Sequence, residues 1–349
     1  MMSESAAASS VGSGDLERLI RGYQFTQALR VAAELRIPDL LAGGPRTVAA
    51  LADACGADRA SLRRLLRALA AIDVLVERQR DVFDGTTASE MLRDGVPGSR
   101  RDWLLMNAAD LYQTWAELRH SVRTGETATS LVYGMDSWSW RAQHPEQGAR
   151  FDAAMADLSR RRVAAFVAAY DMGRFAVVVD VGGGRGTLLA GILAANPSCR
   201  GVLFDQPHVV AGASRVLAGA GVADRVDVVG GDFFESVPTG GDAYVLSMVL
   251  HDWPDDAAVA ILARGRESMG PASTLVLYER VLPVGEQQPW DPYFSDLNML
   301  QGPGGRERTA LEWDALLAQA GFALHHNTVV STETALNILE ARAGTDSAR

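Results

Sequence analysis

The stretch Val177-Val178-Val179-Asp180-Val181-Gly182-Gly183-Gly184-Arg185-Gly186-Thr187 decides the fold. Its β-branched start reads as a buried parallel strand. It then breaks into glycines and enters an apolar segment, Leu188 to Ala195, that reads as a helix. Strand, Gly-rich turn and helix open a nucleotide-binding α/β unit. Glycine lets the backbone approach a ligand closely, and the helix N-terminus offers unpaired N–H groups. A dinucleotide fingerprint carries glycine at its first, third and sixth positions. Here the sixth position is Thr187, which points to a different adenosyl ligand. An ordinary tight turn would also carry such a loop, so the residues downstream must decide.

Downstream, strand and helix patterns alternate. Strands are expected at Gly201–Asp205, Val226–Asp232, Asp242–Met248 and Ser273–Glu279, with a helix over Asp255–Met269. A further helix (Leu311–Ala320) and two late strands, near Phe322–Val330 and Thr334–Glu340, follow. The pattern implies a doubly wound parallel sheet with ligands at the strand C-termini. Asp205 falls about twenty residues after the glycine loop, where a carboxylate reaches a ribose hydroxyl pair. At the third strand end, Asp232 can accept from an exocyclic amine and Phe233 can stack on a purine. His251 follows the fourth strand in Leu250-His251-Asp252-Trp253-Pro254, and an imidazole there suits proton removal near neutral pH. Glu279, at the end of the fifth strand, and Glu307, in Gly304-Gly305-Arg306-Glu307-Arg308-Thr309, are two acids either of which could hold one ring nitrogen. No His-x-Glu, Cys-x-x-Cys or clustered Asp pattern supplies a metal ligand set, so no metal is expected.

Upstream, Asp15 to Leu35 shows helical periodicity with Asp15 as N-cap, stopping at Ile37-Pro38. A short helix over Arg46–Gly56, a helix Ala60–Ile72 capped by Asp58, and a hairpin at Val74–Glu77 and Asp81–Gly85 describe a winged-helix module. Such a module either binds DNA or serves as scaffold and dimerisation element. The arginine pairs Arg63-Arg64 and Arg100-Arg101 are thin support for phosphate contacts, which favours the scaffold. Trp103–Thr124 and Gln147–Met172 read as helices around an irregular aromatic segment with Tyr133, Trp138 and Trp140. Together they would cap the nucleotide site and line a substrate pocket. The expected organisation is a disordered tail (1–14), a dimerisation domain (15–102) and a nucleotide-binding domain (103–349) whose cap spans 103–172.

The 349 residues suffice for two domains, and the net charge of −10 disfavours a nucleic-acid partner. All 33 Lys-plus-Arg positions are arginine, which excludes a Schiff-base lysine, a P-loop lysine and a lysine general base. Cys55 and Cys199 lie far apart in sequence, which suits a reducing, cytoplasmic compartment. The first fourteen residues lack a basic start and an apolar core, so they read as a tail and not a signal peptide. No apolar run approaches membrane-spanning length.

The chain resembles the S-adenosylmethionine-dependent small-molecule O-methyltransferases of the plant caffeate type and their bacterial relatives in antibiotic biosynthesis. The resemblance runs from the winged-helix module to the C-terminus. It rests on Asp180-Val181-Gly182-Gly183-Gly184-x-Gly186, Phe204-Asp205-Gln206-Pro207-His208-Val209, Gly231-Asp232-Phe233-Phe234, Leu250-His251-Asp252-Trp253 and Gly305-Arg306-Glu307-Arg308-Thr309. It implies a Rossmann-like class I methyltransferase domain behind a helical winged-helix dimerisation domain, and a homodimer. It places Gly182 at the methionine end of the cofactor, Asp205 at the ribose, Asp232 and Phe233 at the adenine, and Gly184 and Gln206 among the cofactor-binding residues. Ser247 stands where plant members carry a cofactor-contacting lysine. His251 falls at the family's base, flanked by Glu279 and Glu307. Met155, Asp252, Asp296 and Met299 match pocket or substrate-facing positions.

The implied chemistry is transfer of the cofactor methyl to a hydroxyl of a small aromatic molecule, phenolic by expectation, leaving S-adenosylhomocysteine. Three alternatives compete. A drifted relative would hydroxylate or decarboxylate, or methylate nitrogen. A winged-helix regulator would sense a nucleotide. An NAD-dependent oxidoreductase is disfavoured by Thr187.

Overall fold

In the computed structural model, residues 12–286 and 288–344 are described, so the expected tail lies outside them up to residue 11. The described residues form two compact units. One holds the residues up to Gln113 together with Pro145–Asp157, and the other holds Thr114–His144 and the residues from Leu158 onward.

In the first unit the periodic stretch forms two helices, Ser13–Ile20 and Gly22–Glu34, broken where Gly22, a poor helix former, follows Arg21. Gly12 is the N-cap; Asp15 lies inside the first turn, where its carboxylate accepts from the Gly12 amide. Arg46–Thr47, expected as the start of a helix, is instead a short strand, β1, and Thr47 caps the helix Val48–Cys55 behind it. Asp58 caps Arg59–Ala70 by accepting from the Ser61 amide at 2.8 Å. Strands β2 (Leu75–Gln79) and β3 (Val82–Gly85) pair antiparallel, and β1 adds to β3. Ile37, Val48, Leu51, Leu66, Leu69 and Phe83 close this small core. Arg63, on the helix Arg59–Ala70, forks onto Asp81 at 2.6 and 3.0 Å, and Arg67 reaches Glu77. Arg63 and Arg67 are therefore spent on acids of the wing and its turn.

The second unit is built on a sheet of β4 (Val177–Val181), β5 (Arg200–Asp205), β6 (Val226–Gly230), β7 (Ala243–Ser247), β8 (Thr274–Leu282), a two-residue β9 (Arg308–Thr309), β10 (Phe322–Ser331) and β11 (Leu336–Ala343). Its order is β10-β11-β8-β7-β4-β5-β6, with β9 beside β8. Strands β4 to β8 run parallel, while β11 is antiparallel to β8 and β10 to β11, so the expected all-parallel sheet ends in a hairpin. Alternating side chains fill two cores, Val178, Val245, Val276 and Tyr278 on one face and Val179, Leu246, Leu275 and Leu277 on the other. After β4 the chain builds outward to β6, then returns to lay β7 on the other flank of β4. That reversal opens a crevice at the strand C-termini, where open α/β sheets hold ligands.

Two expectations change here. Strand β8 runs past Glu279 to Leu282, so this glutamate is interior to the strand, opposite Asn337 of β11. The aromatic segment expected as irregular carries two short helices, Ala128–Tyr133 and Ser137–Gln143. Asp136 caps the second by accepting from the Trp138 and Ser139 amides, both at 2.9 Å. No helix among the described residues is long and apolar enough to cross a membrane.

Candidate active site

The glycine turn after β4 is pinned to the neighbouring strand. The Gly182 and Gly183 amides donate to the Phe204 carbonyl at 2.8 and 3.2 Å. Gly182, Gly184 and Gly186 take φ of 69°, 61° and 81°, the left-handed region that favours glycine. A Cβ on Gly183 would stand 2.6 Å from the Asp180 carboxyl carbon, whereas a Cβ on Gly184 would meet nothing within 4 Å among the described residues. The turn is packed from below and open above. Asp205, at the end of β5, accepts from the Gly184 amide at 2.8 Å and from the Gln206 amide at 2.7 Å, one bond to each oxygen. Gln206 is exposed at the start of the short helix Pro207–Val210.

Asp180 is fully buried. Burial, and then the charge of Asp205, push its carboxyl up to about 7, against the pull of the Leu189 amide. Beyond β6, exposed Asp232 accepts from the Phe234 amide at 2.8 Å, fixing a tight turn. Phe233 and Phe234 meet Trp253 edge-on, with ring centroids 5.9 and 4.8 Å away. Ser247 closes β7, half-buried. Met248 then takes φ 55°, a conformation a non-glycine residue rarely adopts, and turns the chain abruptly into Leu250–Asp252.

That turn carries His251, which is 7% exposed. Its Nδ1 lies 3.0 Å from Glu307 Oε1, and its Nε2 lies 3.6 Å from Asp252 Oδ1. Burial disfavours the charged ring, but the carboxylates of Glu307, Asp252 and Glu279 outweigh it and push its pKa up to about 9. Glu307 is held well below its usual range: burial opposes this, and the His251 charge and hydrogen bond, with the Ser295 hydroxyl and Arg280, overcome it.

The two glutamates play different parts. Glu307 alone touches the ring. Glu279 accepts from the Val249 and Leu250 amides, both at 2.9 Å, and so grips the backbone of the turn. Its second oxygen is buried without a hydrogen-bond partner among the described residues, and burial pushes the acid up to about 7.

Three further groups complete the frame, and the sequence reading did not single them out. Ser295, on the helix Trp290–Gln301, donates to Glu307 Oε1 at 2.6 Å, and its neighbour Asp296 accepts from the Glu307 amide at 2.8 Å. Arg308 is fully buried and forks onto Asp255 Oδ1, the Leu250 carbonyl and the Trp253 carbonyl, all between 2.9 and 3.0 Å. Gly305 lies so close that a Cβ would stand 2.0 Å from the His251 carbonyl oxygen, and the next amide, Arg306, donates to that oxygen at 2.9 Å. A polar Ser-Asp pair directly after the aromatic stretch Trp290–Phe294 was the available signal for Ser295.

The structure therefore brings together His251, Asp252, Glu279, Asp296 and Glu307 in one cluster. Met299 is buried one turn beyond Ser295 on the same helix. Met155 belongs to the first unit, half-buried on the helix Pro145–Ala169. Among the described residues no group of three or more His, Cys, Asp or Glu is arranged to hold a metal ion.

Comparison with known proteins agrees with this architecture. The O-methyltransferase domain matches residues 115–323 and the O-methyltransferase dimerisation domain matches 17–94. The chain is 43% identical to the phenazine O-methyltransferase of Lysobacter antibioticus over 330 residues, covering 94% of this chain and 95% of that one. It is 44% identical to the 8-amino-8-demethylriboflavin N,N-dimethyltransferase of Streptomyces davaonensis over 313 residues, covering 86% and 89%. An O-methyltransferase from neocarzinostatin biosynthesis, crystallised with S-adenosylmethionine and 2-hydroxy-5-methyl naphthoic acid, superposes with a TM-score of 0.82 at 36% identity, covering 96% of this chain and all of that one. A class I methyltransferase sheet, a glycine turn at its switch point and these matches lead to one conclusion: the chain belongs to the S-adenosylmethionine-dependent O-methyltransferase family, with that family's dimerisation domain at its N-terminus.

Proposed function

We propose that this enzyme methylates a phenolic hydroxyl of a small aromatic molecule, with His251 as general base. The observation that carries the reading is the His251 Nδ1–Glu307 contact of 3.0 Å at the ligand edge of the sheet. The residues present suit the cofactor. The glycine turn is open above Gly184, and the Asp205 carboxylate stands at the end of β5 beside it. Phe233 lies beside Asp232 as an aromatic surface for adenine, with Gln206 and Ser247 at neighbouring strand ends. When bound, S-adenosylmethionine supplies an electrophilic methyl on a cationic sulfonium.

The protein's own part is proton removal and positioning. Glu307 accepts from Nδ1–H, which leaves Nε2 as the basic nitrogen. Nε2 takes the proton of the acceptor hydroxyl, and the carboxylates of Glu307 and Asp252 stabilise the imidazolium that results. General base catalysis of this kind typically contributes about 10²–10⁴-fold. Glu279 acts through the backbone by holding the turn that bears the ring. Asp296 fixes Glu307 from the other side, and Met299 is the pocket residue on that helix. Nitrogen methylation is a second reading, favoured by the 44% identity to an N,N-dimethyltransferase.

The test incubates the purified protein and S-adenosylmethionine with a panel of phenols, aromatic amines and catechols, read by mass spectrometry. The expected result is gain of one CH₂ on a phenol, with His251→Ala abolishing turnover while S-adenosylhomocysteine affinity is kept. Gain of an oxygen, or loss of carboxylate, overturns methyl transfer. Parallel loss of turnover and cofactor affinity in the variant overturns the base assignment.

A further inference from the structure

Building on that reading, the geometry points to Asn298 as the residue that reads a second polar group on the acceptor: its amide NH₂ donates to a carbonyl, carboxylate or ring nitrogen carried by the aromatic hydroxyl compound. The argument starts from an indole. Trp115 Nε1–H can only donate, and it donates to Asn298 Oδ1 at 3.3 Å. Gln301 Nε2 donates to the same oxygen at 3.0 Å. Two donors on one oxygen fix which way the carboxamide faces. The Asn298 NH₂ must point away from both, and it has no hydrogen-bond partner among the described residues. Asn298 is only half-buried, so that donor is reachable.

The framework behind it is rigid. Gln301 is fully buried, and its backbone carbonyl accepts from Thr129 Oγ1 at 3.2 Å. Among the described residues its Oε1 is buried without a partner, so its amide is turned to serve Asn298 at a cost to itself. Asn298 lies three residues after Ser295 on one helix face, and Cβ atoms at that spacing are about 5–6 Å apart. Ser295 donates to the same Glu307 oxygen that faces His251. An oriented pair of N–H donors thus stands one helical turn from the base relay. A phenol with no second acceptor group leaves those donors unanswered, and sites built to hydrogen-bond a ligand reject the analogue that lacks the group.

The test compares 1-naphthol with 1-hydroxy-2-acetonaphthone, a neutral pair that differs by an acetyl group, whose carbonyl is the added acceptor. Affinities are measured by titration calorimetry with saturating S-adenosylhomocysteine, and methyl transfer by mass spectrometry. Asn298→Asp keeps the oxygen that Trp115 and Gln301 need and replaces the donor by an acceptor. The expected result is wild-type preference for the ketone, falling about 10-fold or more in Asn298→Asp while 1-naphthol is unchanged. Trp115→Phe, which frees the carboxamide to flip, should erode the same preference without removing a group from the base relay. The proposal is overturned by a wild type that shows no preference, or by variants that weaken both probes alike. Failure of the functional reading looks different: the preference persists in binding, and no phenol gains CH₂.

Discussion

Replacing Glu307 by Gln isolates one charge at the heart of the cluster. In the wild type the His251 ring is held at about 9 against an ordinary 6.5. At about 1.36 kcal/mol per pKa unit, that is on the order of 3 kcal/mol in favour of the charged ring. Burial works in the other direction, so carboxylates supply all of it, and Glu307 is the nearest at 3.0 Å, with Asp252 at 3.6 Å. A base must be neutral to accept a proton. In the free enzyme kcat/KM should therefore climb about tenfold per pH unit and level off near pH 9. An opposite charge at this range shifts a pKa by about 1–3 units, so in Glu307→Gln the limb should move down by that amount. The plateau should be lower, by about 10²–10⁴-fold, because the amide no longer stabilises the imidazolium. Stability follows the same sign. A raised histidine pKa stabilises the fold fully below 6.5, and that contribution is lost as pH rises through about 9. The variant's melting temperature should accordingly fall less between those values. The assay is S-adenosylhomocysteine release across pH, with thermal melts in the same buffers. A limb that stays near 9 in the variant refutes the assignment of the limb to a His251–Glu307 pair.

Glu279 should separate backbone gripping from ring contact. Glu279→Gln keeps a carbonyl oxygen for the Val249 and Leu250 amides, so turnover should stay within about threefold, whereas Glu279→Ala should cost about 2–4 kcal/mol of stability by stranding both amides. Because the wild-type acid is raised to about 7, its contribution to stability is present below its unfolded value and lost as pH rises through 7; thermal melts of Glu279→Gln should lack that loss. The first unit carries Leu19, Ile20 and Tyr23 at 54–69% exposure within the matched dimerisation domain, so sedimentation at micromolar concentration should show a homodimer, and a monomer would contradict it.

The central unit was legible because its signals are local and periodic. A β-branched run followed by left-handed glycines has few other solutions, and Val177–Thr187 folds as read. The helices Arg59–Ala70 and Asp255–Ser268 are long enough to show their period. The short helices Ala128–Tyr133 and Ser137–Gln143 span barely two turns, too few for periodicity to register, although their caps Thr127 and Asp136 are visible in sequence. The residues His251 and Glu307 could be nominated from motifs, but the partition of labour between Glu279 and Glu307 could not. It depends on β8 continuing past Glu279, which turns that side chain toward main-chain amides and away from the ring. Ser295 and Arg308 escaped because their partners lie in other segments, and a side chain that satisfies distant backbone leaves no local pattern.

Arg308 and Glu279 hold the His251 turn almost wholly by its main chain: the amides of Val249 and Leu250, and the carbonyls of Leu250 and Trp253. Every amino acid brings those atoms. The clamp is accordingly indifferent to which side chains the turn displays, and a lineage can exchange residues around it while His251 keeps its station. What cannot drift is the short set of outsiders that do the clasping, together with Gly305, where any side chain would collide with the His251 carbonyl. Such an arrangement separates what holds the His251 turn from what the turn displays, so the side chains around it can change while the backbone clasp stays the same.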